Sequence, residues 1–453
     1  MGVAAKKITE RDESNLVAAI EALVGGRVVA MTRQIRWRPS WFVDVEKDGE
    51  LIKLYVRGDR HSDVVPFPDL KREADILQIM AEHGIPAPHI YGMCESPAAI
   101  IMQCCAGTRD VACAADDAQR KHVARQYIEA LVKLHQLPLE PFEAVGIHRP
   151  KGAKAIALAG LDAYWHLYEK HKVGPDPLVE FAIRWLRNHY PRQRDTASFI
   201  AFDAGQFMFA DGELTCLYDF EFAMIGDPMT DLATMAMRHS HEPTGDDIEV
   251  LCRYYAELSG QPVDPQVVRF HHALFSTVAC MQFIGTVANP TPGDPHDVYL
   301  EWSLALRKTL INALADCMQI TLPTTPPLPK QSAVRAPLLE MIADQMTQIE
   351  AVDGLAQAAL QSSQRLVEYA HQVARVGAQI DRLSMAEAAA LIGATTDINE
   401  MNEKLEQFVE RADDDNNAAL LELFARQIDR QVAAYGATSI GRSAAHIRLE
   451  KFA

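Results

Sequence analysis

The 453-residue chain lacks a run of about 18 uncharged apolar residues, so no membrane-spanning helix is expected. It also lacks a Cys-x-x-Cys pair. Its eight cysteines are scattered, none beyond Cys317, and the adjacent Cys104 and Cys105 are poorly placed to pair with each other. Buried reduced thiols in a cytoplasmic protein are the expectation, rather than a zinc site or a disulfide framework. Positive charge is scarce, with 44 Lys and Arg against 61 Asp and Glu and a net charge of −17. That excludes a general nucleic-acid or anionic-membrane surface, while a local basic pocket for phosphates stays open. The first residues turn charged too early for a secretory signal, and Lys6 stands where a myristoylation pattern wants Ser or Thr. No internal repeat is evident.

What is present falls into a β-rich start, a helical middle and a helical end. Residues 14–24 predict a helix stopped by Gly25-Gly26. Phe42–Val45 and Leu51–Arg57 alternate as strands around Lys47-Asp48-Gly49-Glu50, a hairpin signal. Residues 69–84 predict a helix closed by His83-Gly84, followed by an extended Ile85-Pro86-Ala87-Pro88. Residues 98–105 predict an apolar strand. Helices are expected over 117–136, 155–171, 176–190, 228–239, 244–259, 264–287 and 296–318. A small hairpin, Phe199–Phe209 with Leu214–Phe220, turns at Ala210-Asp211-Gly212-Glu213. Four prolines within Leu322–Pro329 read as a stiff linker. Beyond it, Leu366, Ala370, Val373, Gly377 and Ile380 share one helix face, and Leu421, Ala425, Ile428 and Val432 another. The linear division is therefore 1–105, 106–321, 322–331 and 332–453.

The chemistry concentrates in Leu217-Tyr-Asp-Phe-Glu-Phe-Ala-Met-Ile-Gly-Asp-Pro-Met-Thr-Asp-Leu-Ala233. Two carboxylates, Asp219 and Glu221, close an apolar run, where they are costly unless a cation neutralises them. His239 and His241 have no evident third ligand and read as helix-end residues. His271 and His272 read as packing residues, and Asp413–Asp415 as a helix cap.

This order of elements resembles the aminoglycoside phosphotransferase and choline kinase branch of the protein-kinase-like fold, over roughly residues 15–320. Asp219-Phe-Glu221 and Gly226-Asp-Pro-x-x-Asp231-Leu-Ala match two of its motifs. The resemblance implies an α+β, two-lobed kinase-like fold with an all-helical C-terminal domain. It implies a cytoplasmic phosphotransferase using ATP and Mg²⁺ on a small-molecule hydroxyl. Asp219, Glu221 and Gln206 would hold the metal, and Asp227 and Asp231 would hold the loop by backbone hydrogen bonds. Arg57 and Glu73 would order the phosphates, and Met102 to Cys104 and Cys105 would flank the adenine.

Two departures are plain. Counting back from Gln206, the family's catalytic His-Gly-Asp stands as Phe199-Ile200-Ala201, so its base position is Ala201. Asp203, two residues on, is the candidate replacement base. The glycine-rich loop is replaced by Thr32-Arg-Gln-Ile-Arg-Trp-Arg-Pro-Ser-Trp41, whose Arg33, Arg36 and Arg38 suit phosphates or a planar ring, as in a CoA-like ligand, and equally suit an exposed edge strand. Residues 365–371 and 431–435 are similar to a helical protein that accompanies bacterial phosphotransferases of hydroxyacyl-CoA. A hydroxyacyl-CoA acceptor and self-association through the helical tail are the matching expectations. The rival readings are a catalytically silent pseudokinase that binds or scaffolds, and a repurposed enzyme acting on a CoA or phosphorylated ligand.

Overall fold

A computed structural model describes residues 8–34, 38–60, 65–239, 242–328 and 335–446. The chain divides into two compact units. One comprises residues up to Gly160 with Pro191–His271, and the other Leu161–Tyr190 with His272 onward. This division is not linear: helices before the proline-rich segment share a unit with the C-terminal helices.

The first unit opens with helix α1 (Glu10–Val24). Thr9 caps it in a reciprocal box with Asp12, and Gly25 ends it in the left-handed region at φ 73°. The helix starts earlier than apolar spacing indicates, because its first turn is acidic and capped rather than apolar. A five-stranded antiparallel sheet follows, in the order β1 (Arg27–Arg33), β2 (Ser40–Lys47), β3 (Glu50–Gly58), β5 (Ala98–Gln103), β4 (Ile90–Glu95). Lys47 pairs with Glu50 across Asp48 (φ 53°) and Gly49 (φ 83°), the two-residue turn whose twist suits a hairpin. Strand β4 has no counterpart in the sequence reading; its mixed burial hides the alternation.

Alternation puts Trp41, Val43, Val45, Leu54 and Val56 against Leu16, Ile20 and Val24 of α1. Ile100 and Met102 turn the other way, into a core shared with Leu70, Ala74 and Leu77 of helix α2 (Leu70–Glu82). Arg57 lies two residues from Tyr55, whose ring packs against that second core, and so is carried toward α2.

The larger core continues through helix α3 (Asp117–His135) into short strands. The expected continuous strand 199–209 breaks in two. Strand β6 (Ser198–Ile200) pairs with β9 (Met224–Gly226), while β7 (Phe207–Ala210) pairs with β8 (Glu213–Leu217). Residues 201–206 form an irregular loop between them. In an extended strand, residues two apart face the same side, which would set Asp203 beside Ala201; this irregular segment does not have that alternation. The turn at Asp211-Gly212 repeats the left-handed pair of the first hairpin, at φ 51° and 83°.

The second unit is all helix. Arg307 grips Asp176 with two nitrogens, Lys172 bridges Glu180 and Glu406 at 2.7 and 2.8 Å, and Arg184 donates to Asn417 at 2.6 Å. A 39-residue helix, Gly354–Ile392, precedes Ile398–Arg411 and Asn417–Tyr435. Asp413 caps the short turn Asp414–Asn416 ahead of the last of these. Among the described residues no helix is long and apolar enough to cross a membrane. The fold is α+β: a sheet lobe and a helical lobe in kinase-like order, followed by an all-helical region.

Candidate functional site

Three arginines and three carboxylates converge between the sheet and the β8–β9 connection. Strand β3 delivers Arg57 next to its partners Ser40 and Ile100, and the chain beyond it delivers Arg60. Arg38 comes from the segment before β2. Helix α2, capped by Asp69, presents Glu73 from its first turn. Strand β8 ends at Leu217, and the chain turns through Asp219 at φ 66°, a left-handed value that aspartate tolerates better than most residues.

Arg57 is the hub. Its Nε donates to Glu73 Oε2 at 3.0 Å and its Nη2 to Asp219 Oδ1, while Glu221 Oε2 lies 3.7 Å away. Glu221 is held on both oxygens, by Arg38 on Oε2 and Arg60 on Oε1. Arg38 also lies 3.8 Å from Glu73. Burial alone would weaken the Arg57 guanidinium's hold on its proton, but Asp219, Glu73 and Glu221 outweigh it and keep its pKa above the usual arginine value. Removal from water would raise Asp219, but Arg57, Arg38 and Arg60 overcome it and take it down to about 2. Burial and the nearby Arg38 pull Arg60 down to about 10 in spite of Glu221.

The loop at 201–206 is fixed from below. Both oxygens of Asp231 accept backbone hydrogens, from Ala201 at 2.8 Å and Phe202 at 2.9 Å. Thr234 accepts from Ala204 N, and the Tyr127 hydroxyl from Gly205 N. Gly205 sits at φ 92°, where an added Cβ would meet Arg238 Cδ at 3.0 Å. That open space lets Arg238 pass under the loop and bind Asp203 Oδ1 at 2.6 Å. Gln206 Nε2 donates to Asp203 Oδ2 at 3.2 Å. Burial raises the Asp203 pKa, with Asp219 and Glu221 adding to it, although Arg238 opposes.

The sequence-derived candidates thus separate. Arg57, Glu73, Asp219 and Glu221 come together, and Arg38 joins them from the arginine-tryptophan segment. Arg36 lies outside the described residues. Asp203 is close enough to feel Asp219 and Glu221, yet both its oxygens are engaged. Met102 is buried in the apolar core, and half-buried Cys104 follows it at the strand end, its backbone nitrogen bonded to Lys53 O at 3.0 Å. The neighbouring thiols of Cys105 and Cys216 act on each other, drawing the Cys105 pKa down and pushing the Cys216 pKa up. Arg60 and Arg238 escaped the sequence reading, since no motif marks either.

Magnesium seeks hard oxygen donors, and the carboxylates of Asp219 and Glu221 are of that kind. Their oxygens here receive guanidinium hydrogens instead. Gln206 turns its amide nitrogen to Asp203, and among the described residues no three His, Cys, Asp or Glu side chains group to hold a metal. In this arrangement Gln206, Asp219 and Glu221 do not fit a shared metal ion. His239 pairs with Thr244 at 2.8 Å, and His241 lies outside the described residues.

Comparison with known proteins gives the family and the fold. The pattern that defines the phosphotransferase enzyme family matches residues 36–271. A crystal structure provisionally named an aminoglycoside phosphotransferase, from Ralstonia eutropha, superposes with a TM-score of 0.51 at 16% identity, over 66% of this chain and 95% of that one. At such identity the likeness shows the fold. A macrolide 2'-phosphotransferase of Brachybacterium faecium is similar at 18% identity over 64% of this chain and 97% of its own, with a TM-score of 0.45. Acyl-CoA dehydrogenase family member 10 of Mus musculus is 24% identical over 180 residues, 36% of this chain. The chain spans only 16% of that relative's length.

Proposed function

Because the chain belongs to the phosphotransferase enzyme family, we propose that it transfers the γ-phosphoryl group of ATP to a hydroxyl of a small molecule. One observation carries this reading: Arg57 contacts both the α2 glutamate, Glu73, and the carboxylate of Asp219. That arrangement gathers on one guanidinium the parts that order phosphates and meet their charge. Asp203 is the proton acceptor of this proposal, its raised pKa favouring the role and its bond to Arg238 fixing its position. A hydroxyacyl-CoA is the finer proposal for the acceptor. It is supported by the helical tail's pattern and by the name of the mouse relative, of which only a small part is shared. Self-association through the helical tail and a cytoplasmic location belong to the same proposal.

A second reading has its own observation. Ala201 stands at the family's base position, with its backbone clamped by Asp231. A chain that binds nucleotide without turning it over would show the same feature. The test is ATP turnover and thermal shift for the native chain, Asp219→Ala and Asp203→Ala. Turnover that Asp203→Ala lowers by about a hundredfold or more supports the phosphotransferase with its base. A shift without turnover favours the silent binder, and neither signal sinks both.

A further inference from the structure

We infer that this site receives a phosphate anhydride directly on its guanidinium groups, and that Asp219 is the anion's internal competitor rather than a metal ligand. The inference rests on the nucleotide-binding reading above and assigns its charge chemistry.

These three arginines and three carboxylates pair with one another at very different depths. Arg38, Arg57 and Arg60 have side-chain exposures of 9%, 11% and 6%, and Glu73 and Glu221 of 4% and 8%. Asp219 is the exception at 25%. The ties differ in the same sense. Glu221 is held by Arg38 and Arg60 on separate oxygens, whereas Asp219 is held by Arg57 on one oxygen. Stripping a guanidinium from Glu221 would leave buried charge uncompensated. Turning Asp219 toward water would not.

Once Asp219 swings away, Arg57 keeps Glu73 at 3.0 Å and turns the Nη2 edge that Asp219 held toward the incoming anion. A guanidinium fork matches phosphate oxygens in pairs. The glycine-rich segment, whose backbone would otherwise cradle phosphates, is replaced by the stretch that supplies Arg38. Charge on side chains takes over from backbone amides, and Glu221 serves as the anchor that aims Arg38 and Arg60.

Calorimetric titration of the full chain with ADP, in EDTA and then in excess Mg²⁺, tests this. ADP is expected to bind in EDTA. Asp219→Asn, which keeps the shape and removes the competing charge, should bind ADP about tenfold tighter there, while Arg57→Gln and Arg60→Gln should bind it about tenfold or more weaker. Arg60→Lys, with charge but no fork, should fall between. Binding lost in EDTA and restored by Mg²⁺, or Asp219→Asn binding more weakly, overturns the inference. So does absence of ADP binding in both conditions. Should the arginine variants fail to fold, Asp219→Asn and the EDTA comparison still decide. ADP binding without ATP turnover would sink the phosphotransferase reading and leave this inference standing; metal-strict binding with turnover would do the reverse.

Discussion

Two pairs of carboxylates lie close together in the chain and live in different settings. Asp227 and Asp231 are fully buried. Asp231 takes two backbone hydrogens and lies 3.1 Å from His135 Nε2. Asp227 takes Met229 N at 2.9 Å and a two-nitrogen grip from Arg194 at 2.6 and 2.8 Å. Asp219 and Glu221, by contrast, take guanidinium groups and, among the described residues, no backbone amide. Backbone partners cannot be exchanged without unfolding the segment, whereas side-chain partners can be. The first pair builds the loop; in the second, Asp219 is the member inferred to yield to a charged ligand, with Glu221 as its fixed neighbour.

The sharpest way to break this contrast is Asp231→Ala. It orphans the buried amides of Ala201 and Phe202 and removes one of two partners of His135, which keeps the Tyr255 hydroxyl. A loss of about 3–5 kcal/mol in chemical denaturation is expected, with Asp231→Asn recovering part of it. A cost under about 1 kcal/mol would mean that the loop stands without its carboxylate.

Adjacent histidines repeat the contrast in miniature. His271 Nδ1 lies 3.0 Å from Thr230 Oγ1 and its Nε2 lies 3.5 Å from Asp227. His272 has no hydrogen-bond partner for Nε2 among the described residues, and burial pulls its pKa down to about 4. The unfolded chain binds that proton near pH 6.5, so between the two values the unfolded state holds more protons. Stability present above pH 6.5 should fall as the pH drops toward 4, by about 3 kcal/mol in the limit. His272→Phe should flatten that part of the stability-against-pH curve; an unchanged curve would place its cause elsewhere.

How much of this was legible in the residues depends on range. The Asp48-Gly49 and Asp211-Gly212 hairpins were legible because two residues dictate each turn. The Asp219–Asp231 motif was legible because its parts are contiguous. The pairing of β6 with β9 was not, since three-residue strands carry almost no pattern of their own. Arg60 meets Glu221 across 161 residues, and Arg238 meets Asp203 across 35. Spacing along the chain announces neither contact. For Asp219 and Glu221 the sequence pointed to a cation and the resemblance to a metal; in the structure the groups beside them are arginines of the same chain, whose positions along it carry no such signal.

Arg57→Lys asks whether the hub needs its fork. An ammonium is a point charge on a flexible stem, so it reaches Glu73 or Asp219 but does not span them as the guanidinium does. We expect a stability loss of about 1–2 kcal/mol in thermal or urea unfolding, from one charge-assisted bond forgone in a buried setting. No loss would mean that the two carboxylates do not depend on a shared partner.

The smallest effect is expected at the most exposed member of the cluster. Asp219→Ala leaves Arg57 bonded to Glu73 at 3.0 Å, with Glu221 at 3.7 Å, so its guanidinium stays compensated. Alanine suits the φ of 66° less well than aspartate, which adds a few tenths of a kcal/mol, but a quarter of the lost side chain lay in water. The expected cost is about 1 kcal/mol or less by urea unfolding, against the several lost at Asp231. A cost equal to that of Asp231→Ala would erase the distinction between a carboxylate that builds the loop and one that a ligand can displace.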